Sequence, residues 1–308
     1  MIYNLIIIGG GPAGITAGIY AARQRLKTLL ITKDFGGQIA KKAVPIENYP
    51  GFKEISGLEL IQKFKEHLEK FKIETEMDSV VEIEKNDGNF RIFTKEQKQF
   101  EAKAVIIASG ADPRPLKVPG EKEFVGRGVS YCVTCNGPIF KDKIVAVIGG
   151  GNSGFEAAIA LSRWTKKIYI LEYGEKVIAD IENQELVEKT GKVEVITNAA
   201  LKEIRGDKFV NSIIYQNRKT GQDEELKVEG VFVEIGLLPA SSFAKDLVEL
   251  NERGEIKVDF ETFQTKTPGL FAAGDVNIGR FKQIVIACGE GAKAALAAYD
   301  YLKTLNKK

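Results

Sequence analysis

The clearest chemistry in this chain is a pair of cysteines spaced C-x-x-C, Cys132 and Cys135, within Tyr131-Cys132-Val133-Thr134-Cys135-Asn136-Gly137. Such a pair in a reducing compartment is redox-active or metal-binding. A closed structural zinc site needs four ligands, and beyond the pair the sequence offers only Cys288 and its single histidine, His67. A C-x-x-C thiolate near a helix N-terminus has a lowered pKa, which makes it the better nucleophile and leaving group at neutral pH.

A redox pair needs a source of electrons, and two glycine turns are candidates to hold one. Gly9-Gly10-Gly11-Pro12-Ala13-Gly14 follows an apolar run, residues 2–8, and opens an Ala-rich stretch to Arg25. This reads as strand, G-x-G-x-x-G, helix, with the next strand at 29–32. In that arrangement Gly9 makes the tight bend, Gly11 lets a pyrophosphate approach the backbone, and Gly14 lets helix pack on strand. Gly149-Gly150-Gly151-Asn152-Ser153-Gly154 repeats the pattern between a strand at 143–148 and a helix at 155–164. Glu172 closes the following strand, 168–171, about where the fingerprint needs its ribose-binding acid. Either turn alone could be a turn without a ligand. Two of them with a C-x-x-C between point to two bound dinucleotides and a flavin disulfide reductase.

The elements that must position these groups fill the rest of the chain. At 308 residues there is room for two domains. With 44 basic and 42 acidic residues the net charge is +2, which offers no nucleic-acid or membrane surface, and no apolar run reaches membrane-spanning length. Residues 2–8 lack a basic leader and run straight into Gly9, so they read as a buried strand and not a signal peptide, and the protein is expected in the cytoplasm. A turn-rich passage, Gly36-Gly37-Gln38 to Glu47-Asn48-Tyr49-Pro50-Gly51, reads as a surface that closes over a ligand. Leu58, Ile61, Phe64, Leu68 and Phe71 recur at helical spacing and predict an amphipathic helix, with His67 a solvated residue beside the stripe. A β excursion at 80–85 and 90–94 precedes a buried strand at 104–108, which ends in Ser109-Gly110. Asp112-Pro113-Arg114-Pro115 and Gly236-Leu237-Leu238-Pro239 read as linkers, and short β segments fill 193–235. The tail carries a strand at 270–273, Gly274-Asp275, and an Ala/Gly-rich helix at 283–302. It is too short to be a domain and is expected to complete the first sheet. The fold class is therefore α/β, with two Rossmann-like three-layer domains, the first (1–114 and 245–308) discontinuous and the second (115–244) inserted into it.

From end to end the chain resembles the low-molecular-weight thioredoxin reductases, most of all the flavoprotein portion of the alkyl hydroperoxide reductase subunit. The residues that carry the likeness are both glycine turns, Gly36-Gly37-Gln38, Glu47-Asn48-Tyr49-Pro50-Gly51, Cys132-x-x-Cys135, and Phe271-Ala272-Ala273-Gly274-Asp275 with Lys282-Gln283. The early cysteines and C-terminal histidine domain of the larger reductases are absent.

The resemblance implies that the first turn, with Gly9, Gly11, Pro12, Ala13 and Gly14, binds FAD. Thr32, Gly37, Gln38, Asn48, Ser109 and Asp275 fall on positions that contact the flavin nucleotide. Val80, Ala108, Gly110, Gly274, Lys282, Gln283 and Ile284 belong to the same set. Asp275 can accept a hydrogen bond from a ribityl hydroxyl, with a helix N-cap as its competing role. The helix from Gln283 would aim its positive end at the flavin pyrimidine. The second turn, with Gly149, Gly151, Asn152, Ser153 and Gly154, is implied to bind a nicotinamide cofactor together with Glu172, Tyr173 and Gly236. Relatives that use NADPH carry a basic run where this chain has Glu172-Tyr173-Gly174, and an arginine where it has Ile178. Glu172 would accept from ribose hydroxyls and repel a 2′-phosphate, so NADH is expected. By the same likeness Cys135 faces the flavin and Cys132 attacks the partner's disulfide, while Cys288 reads as a small buried hydrophobe.

Two departures stand out. The family has Asp after the second cysteine as a proton donor and acceptor, and this chain has Asn136, which cannot carry the proton. Lys41 and Lys42 replace hydroxyl residues common after Gln38. The implied activity passes electrons from NADH through FAD and Cys132–Cys135 to a small thioredoxin-fold protein, a thioredoxin or glutaredoxin-like protein, or to a peroxide-reducing system. Because the chain starts at the FAD strand, that partner is expected to be a separate protein, and the family implies a homodimer. The cysteines and the nicotinamide turn share the middle domain, so alternation between two domain orientations about the Pro-rich linkers is expected. The rival readings are an NADH oxidase or thiol oxidase that uses oxygen, and a non-enzymatic flavoprotein that senses NADH.

Overall fold

The computed structural model describes residues 1–41, 46–86 and 88–305, with the side chains of Lys41, Thr134 and Cys135 outside that description. Two units emerge: Met1–Ala40, Ile46–Asp112 and Leu238–Lys308 form one, and Pro113–Leu237 lies in the other.

In the first unit the apolar N-terminus becomes the central strand Ile2–Gly10. It pairs in parallel with Thr28–Phe35, placing Ile6 opposite Leu29, and with Gln99–Ile107, placing Ile6 opposite Val105. A strand flanked in parallel on both sides is covered on both faces, and its residues divide by alternation. Leu5 and Ile7 join the layer beneath the helices Pro12–Arg23 and Ile284–Leu305, whereas Tyr3, Ile6 and Ile8 join the opposite layer. Glu74–Glu76 extends the sheet past Thr28–Phe35. The C-terminal strand Leu270–Ala272 pairs in parallel with Gln99–Ile107, so the tail completes the first sheet. The excursion Val80–Asn86 and Asn89–Thr94 joins the other half of that strand in antiparallel fashion.

The amphipathic helix runs Gly57–Glu69, with Ser56 Oγ accepting from Glu59 N at 3.2 Å. Its inward face differs from the expected stripe: Leu60 is buried and Leu58 exposed. The cause is Gly57, where a Cβ would stand 2.1 Å from Ile39 O, so Gly57, Leu60, Ile61 and Leu68 face inward and Leu58 is turned away. His67 is exposed on the same helix.

The second unit repeats the plan. Ile144–Ile148 pairs in parallel with Lys167–Leu171 and Gly230–Val233, with Val193–Ile196 and Val129–Ser130 outermost. The layer with Val145 and Val147 packs under the helix Asn152–Leu161. Ala146 and Ile148 pack with the antiparallel sheet Ala199–Gly206, Val210–Asn217 and Asp223–Leu226. The helix Ile181–Thr190 has no counterpart in the sequence reading. It is polar apart from a few positions, buries Val187 alone, and stops at Gly191, φ 64°.

The chain passes between the units at 112/113 and 237/238, against the 114/115 and 244/245 expected. The second difference has a packing origin: Ala244 and Val248 are buried in the first unit's core, with Phe243 against them. Among the described residues no helix is long and apolar enough to cross a membrane.

Candidate active site and dinucleotide sites

In the first unit the glycine turn is shaped by close approach. Gly9 has φ +117°, and a Cβ there would lie 2.2 Å from Ala108 O, while one on Gly14 would lie 1.8 Å from Gly9 O. Gly11 differs. It precedes Pro12 at the start of the helix, and a Cβ built on it meets nothing within 4 Å. Open space in front of unpaired helix N–H groups is a cradle for an anionic ligand.

The residues expected around that cradle come from distant parts of the chain. A Cβ on Gly37 would come 3.9 Å from Gly11 Cα. Thr32 Oγ1 donates to Asp34 O at 2.5 Å, and Gln38 Nε2 to Ala111 O at 2.8 Å. Ala108 N donates to Ile8 O at 2.8 Å, Ser109 Oγ to Ala240 O at 2.6 Å, and Ala240 N to Gly110 O at 3.0 Å. Asn48 Nδ2 reaches Gln283 Oε1 at 3.2 Å, just before the helix that starts at Ile284. Gly274, φ +80°, abuts Ala13: a Cβ there would stand 3.0 Å from Ala13 Cβ. Val80 opens the antiparallel excursion and packs on the layer that holds Ile6 and Ile8. Lys42 lies outside the described residues, as does the Lys41 side chain.

Asp275 follows the strand Leu270–Ala272, and the next helix begins nine residues on at Ile284, so it caps no helix. Among the described residues no hydrogen bond reaches its carboxylate. Burial pushes the carboxyl above the usual carboxylate range, and Lys282 partly offsets this. Lys282 is held by Glu255 Oε1 at 3.0 Å and donates to Asp275 O at 3.3 Å and to Asn277 O. The acceptor is therefore open to a donor such as a sugar hydroxyl.

Sequence reasoning missed Glu290. Its Oε2 accepts from Gly274 N and Asn277 Nδ2, both at 2.7 Å, and so fixes the Gly274-Asp275 turn from behind. Burial raises its pKa, against the lowering effect of those bonds and Lys282. The signal was a lone acid in an Ala/Gly helix.

In the second unit Gly149 has φ +121° and would place a Cβ 2.3 Å from Glu234 O, while Gly154 would place one 1.9 Å from Gly149 O. Gly151 starts the helix Asn152–Leu161, with Ile178 the nearest neighbour of a Cβ at 3.8 Å. Glu172 is gripped at both oxygens: Gly150 N donates to Oε2 at 2.7 Å and Gly174 N to Oε1 at 2.6 Å. Each oxygen keeps a lone pair for a ribose hydroxyl. Asn152 Nδ2 donates to Asp180 Oδ2 and Asp180 N to Asn152 Oδ1, both at 2.7 Å. Ser153 is exposed, and Gly236 has φ +97° with open space around a Cβ. Tyr173 is 62% exposed.

Cys132 is disulfide-bonded, and Cys288 is a free cysteine. Cys135 lies in the one-turn helix Val133–Asn136, which a 3-10 turn, Gly137–Phe140, continues. The buried Ser130 organises this segment and was also missed. Cys132 N donates to Ser130 Oγ at 3.0 Å, and that hydroxyl lies 2.8 Å from Asn136 Oδ1 and 3.1 Å from Cys132 O. Asn136 is thus engaged through its side-chain oxygen. Tyr131 OH donates to Glu121, which is 2% exposed and also accepts from Leu116 N at 2.6 Å and Lys117 N at 2.7 Å. Burial first, and then this bond, raise the Tyr131 pKa. Cys288 is half-buried, with Tyr49 OH 3.9 Å from its Sγ, and burial pushes its thiol up.

A family model described as pyridine nucleotide-disulphide oxidoreductase matches residues 3–291. The chain is 42% identical over 302 residues to the larger, flavoprotein-type chain of alkyl hydroperoxide reductase from Staphylococcus epidermidis, an alignment that covers 97% of this chain and 59% of that protein. It therefore spans about three-fifths of the length of the curated relatives it matches. Two solved structures are similar along nearly their whole length. The thioredoxin reductase of Lactococcus lactis superposes with a TM-score of 0.93 at 40% identity, covering 98% of this chain and 99% of that one. The thioredoxin reductase of T. acidophilum gives 0.90 at 41%, covering 97% and 98%. Two glycine-turn units of one plan, a C-x-x-C segment in the second, and a family match from the first strand into the last helix have one reading: the chain belongs to the pyridine nucleotide-disulphide oxidoreductase family.

Proposed function

We propose that the protein is an NADH-dependent disulfide reductase whose electrons leave through Cys132 and Cys135 to a small thioredoxin-fold protein or a peroxide-reducing system. The observation that carries this is the disulfide at Cys132 in the same unit as the second glycine turn and its acid, Glu172. The first unit is read as the FAD domain and the second as the NADH domain. Gly11, Asn48, Ser109, Asp275 and the start of the helix at Ile284 would hold FAD, which when bound supplies a two-electron carrier between nicotinamide and disulfide.

The remaining steps belong to the chain's own residues. Glu172 accepts from the adenosine ribose hydroxyls and sets a negative charge where a 2′-phosphate would come, so NADH is favoured over NADPH. Ser130 holds the Cys132 backbone and Asn136 together. Asn136 offers the departing thiolate a hydrogen bond but no proton, so water supplies the proton. The thiolate of Cys132 attacks the partner's disulfide, and Cys135 resolves the mixed disulfide. Because the cysteines and Glu172 share one unit, the reading includes alternation about the crossings at 112/113 and 237/238. A homodimer in the cytoplasm completes the reading.

The test is turnover of a model disulfide with NADH, and its loss in Cys132→Ser. Turnover that persists without Cys132, or a higher kcat/KM for NADPH, contradicts the reductase or the cofactor choice respectively. Oxygen uptake at the rate of NADH consumption would favour the oxidase reading.

A further inference from the structure

Arg218 lies far in sequence from every motif above, yet it is folded onto Tyr173, the residue after Glu172. Its guanidinium carbon sits 4.0 Å from the centroid of the Tyr173 ring, and its Nη1 donates to Tyr173 O at 2.9 Å. The backbone is anchored independently: Arg218 N donates to Asn198 O, and Asn198 N to Gly174 O, both at 2.8 Å. Among the described residues no carboxylate forms an ion pair with Arg218. Exposed single aromatics are ordinary, but this one is fixed at two points by a planar cation and stands beside the acid expected to hold a ribose.

We propose that Arg218 is a positioning residue for the dinucleotide's adenine. Its guanidinium covers one face of Tyr173 and holds the ring beside the Glu172 turn, leaving the other face as a stacking surface for the base. An adenine that continues from a ribose on Glu172 meets an aromatic plane already immobilised, so less freedom is lost on binding. The inference rests on the reading that the second unit takes NADH.

The experiment measures Kd for NADH, NADPH and ADP-ribose in wild type, Arg218→Ala, Tyr173→Ala and the double variant, with FAD content and melting temperature recorded for each. ADP-ribose carries adenine without nicotinamide, so its Kd reports the adenosine end alone. Each single variant is expected to weaken NADH and ADP-ribose by about tenfold, the scale of one base–aromatic stack. The double variant should lose no more than either single one, because the two side chains act as one unit. Single variants that bind ADP-ribose as wild type does overturn the proposal, as does additive loss in the double variant. A loss confined to NADPH also overturns it, since Arg218 would then be reading a 2′-phosphate. Should Arg218→Ala fail to fold, Tyr173→Ala, which leaves the arginine and its carbonyl bond in place, decides the matter alone. If wild type binds neither NADH nor ADP-ribose, the NADH reading itself fails.

Discussion

Gly11→Ala separates what the first glycine turn does for the ligand from what it does for the fold. Gly11 has φ −81° and ψ −175°, extended backbone that any residue adopts, and an added Cβ meets no protein atom within 4 Å. Replacing Gly by Ala at a compatible site stabilises by about 0.4–1 kcal/mol through the unfolded chain. Ala is a poorer N-cap than Gly by a similar amount, so the apoprotein should stay within about 1 kcal/mol of wild type. The same methyl would occupy the space in front of the helix N-terminus where a pyrophosphate must come. Overpacking there costs about 1–3 kcal/mol, a rise in the FAD Kd of about 5- to 150-fold.

Gly14→Ala is the counterpart. Its Cβ would stand 1.8 Å from Gly9 O, a backbone atom that cannot swing aside, so the helix must move and the apoprotein itself is destabilised. Thermal unfolding of both apoproteins and FAD titration followed by flavin fluorescence separate the two effects. Wild-type FAD affinity in Gly11→Ala, or an unperturbed apoprotein in Gly14→Ala, would refute the reasoning.

Three other outcomes follow from the same geometry. Asn136→Asp gives the redox segment a titratable acid, so dithiol exchange should speed up by about tenfold or more at pH values where the acid is protonated, and slow as pH rises through its pKa. Stopped-flow rates against pH check this, and superimposable profiles contradict it. Ser130→Ala removes the hydroxyl shared by Cys132 N and Asn136, and exchange should slow by about 5- to 150-fold for about 1–3 kcal/mol of lost support. An unchanged rate would show that Ser130 positions nothing. Glu290→Gln keeps an oxygen for Gly274 N and Asn277 Nδ2 but does not ionise. Because burial raises the Glu290 pKa, the folded protein binds more protons than the unfolded chain, and wild-type stability falls as pH rises from the unfolded carboxyl value through the raised one. The variant's urea midpoint should fall less over that window, with the remaining slope set by Asp275, whose pKa is also raised. Equal slopes contradict the assignment.

What was legible in the sequence was whatever depends on local backbone geometry. The glycine turns are required by contacts inside a strand–turn–helix unit, such as Gly14 against Gly9 and Gly154 against Gly149, so their spacing alone announced them. The return of Leu270–Ala272 to the first sheet was readable because the tail is too short to fold alone. The face of the helix Gly57–Glu69 was misread by one position, since the contact that orients it, Gly57 on Ile39, is tertiary. The helix Ile181–Thr190 buries too little to leave an apolar period. Glu290 and Arg218 were invisible for a similar reason: each acts on a turn built from another part of the chain. Ser130 sat beside the motif, but only a folded segment shows that its hydroxyl spans Cys132 and Asn136.

The central claim is that Cys132 and Cys135 exchange electrons with NADH through the flavin. Anaerobic titration of the FAD-loaded protein with NADH, followed by absorbance, tests it most directly. The account predicts uptake of about four electrons per chain, two by the flavin and two by the disulfide, falling to about two in Cys132→Ser. Uptake of about two electrons by the wild-type protein would leave the disulfide outside the path and contradict the account.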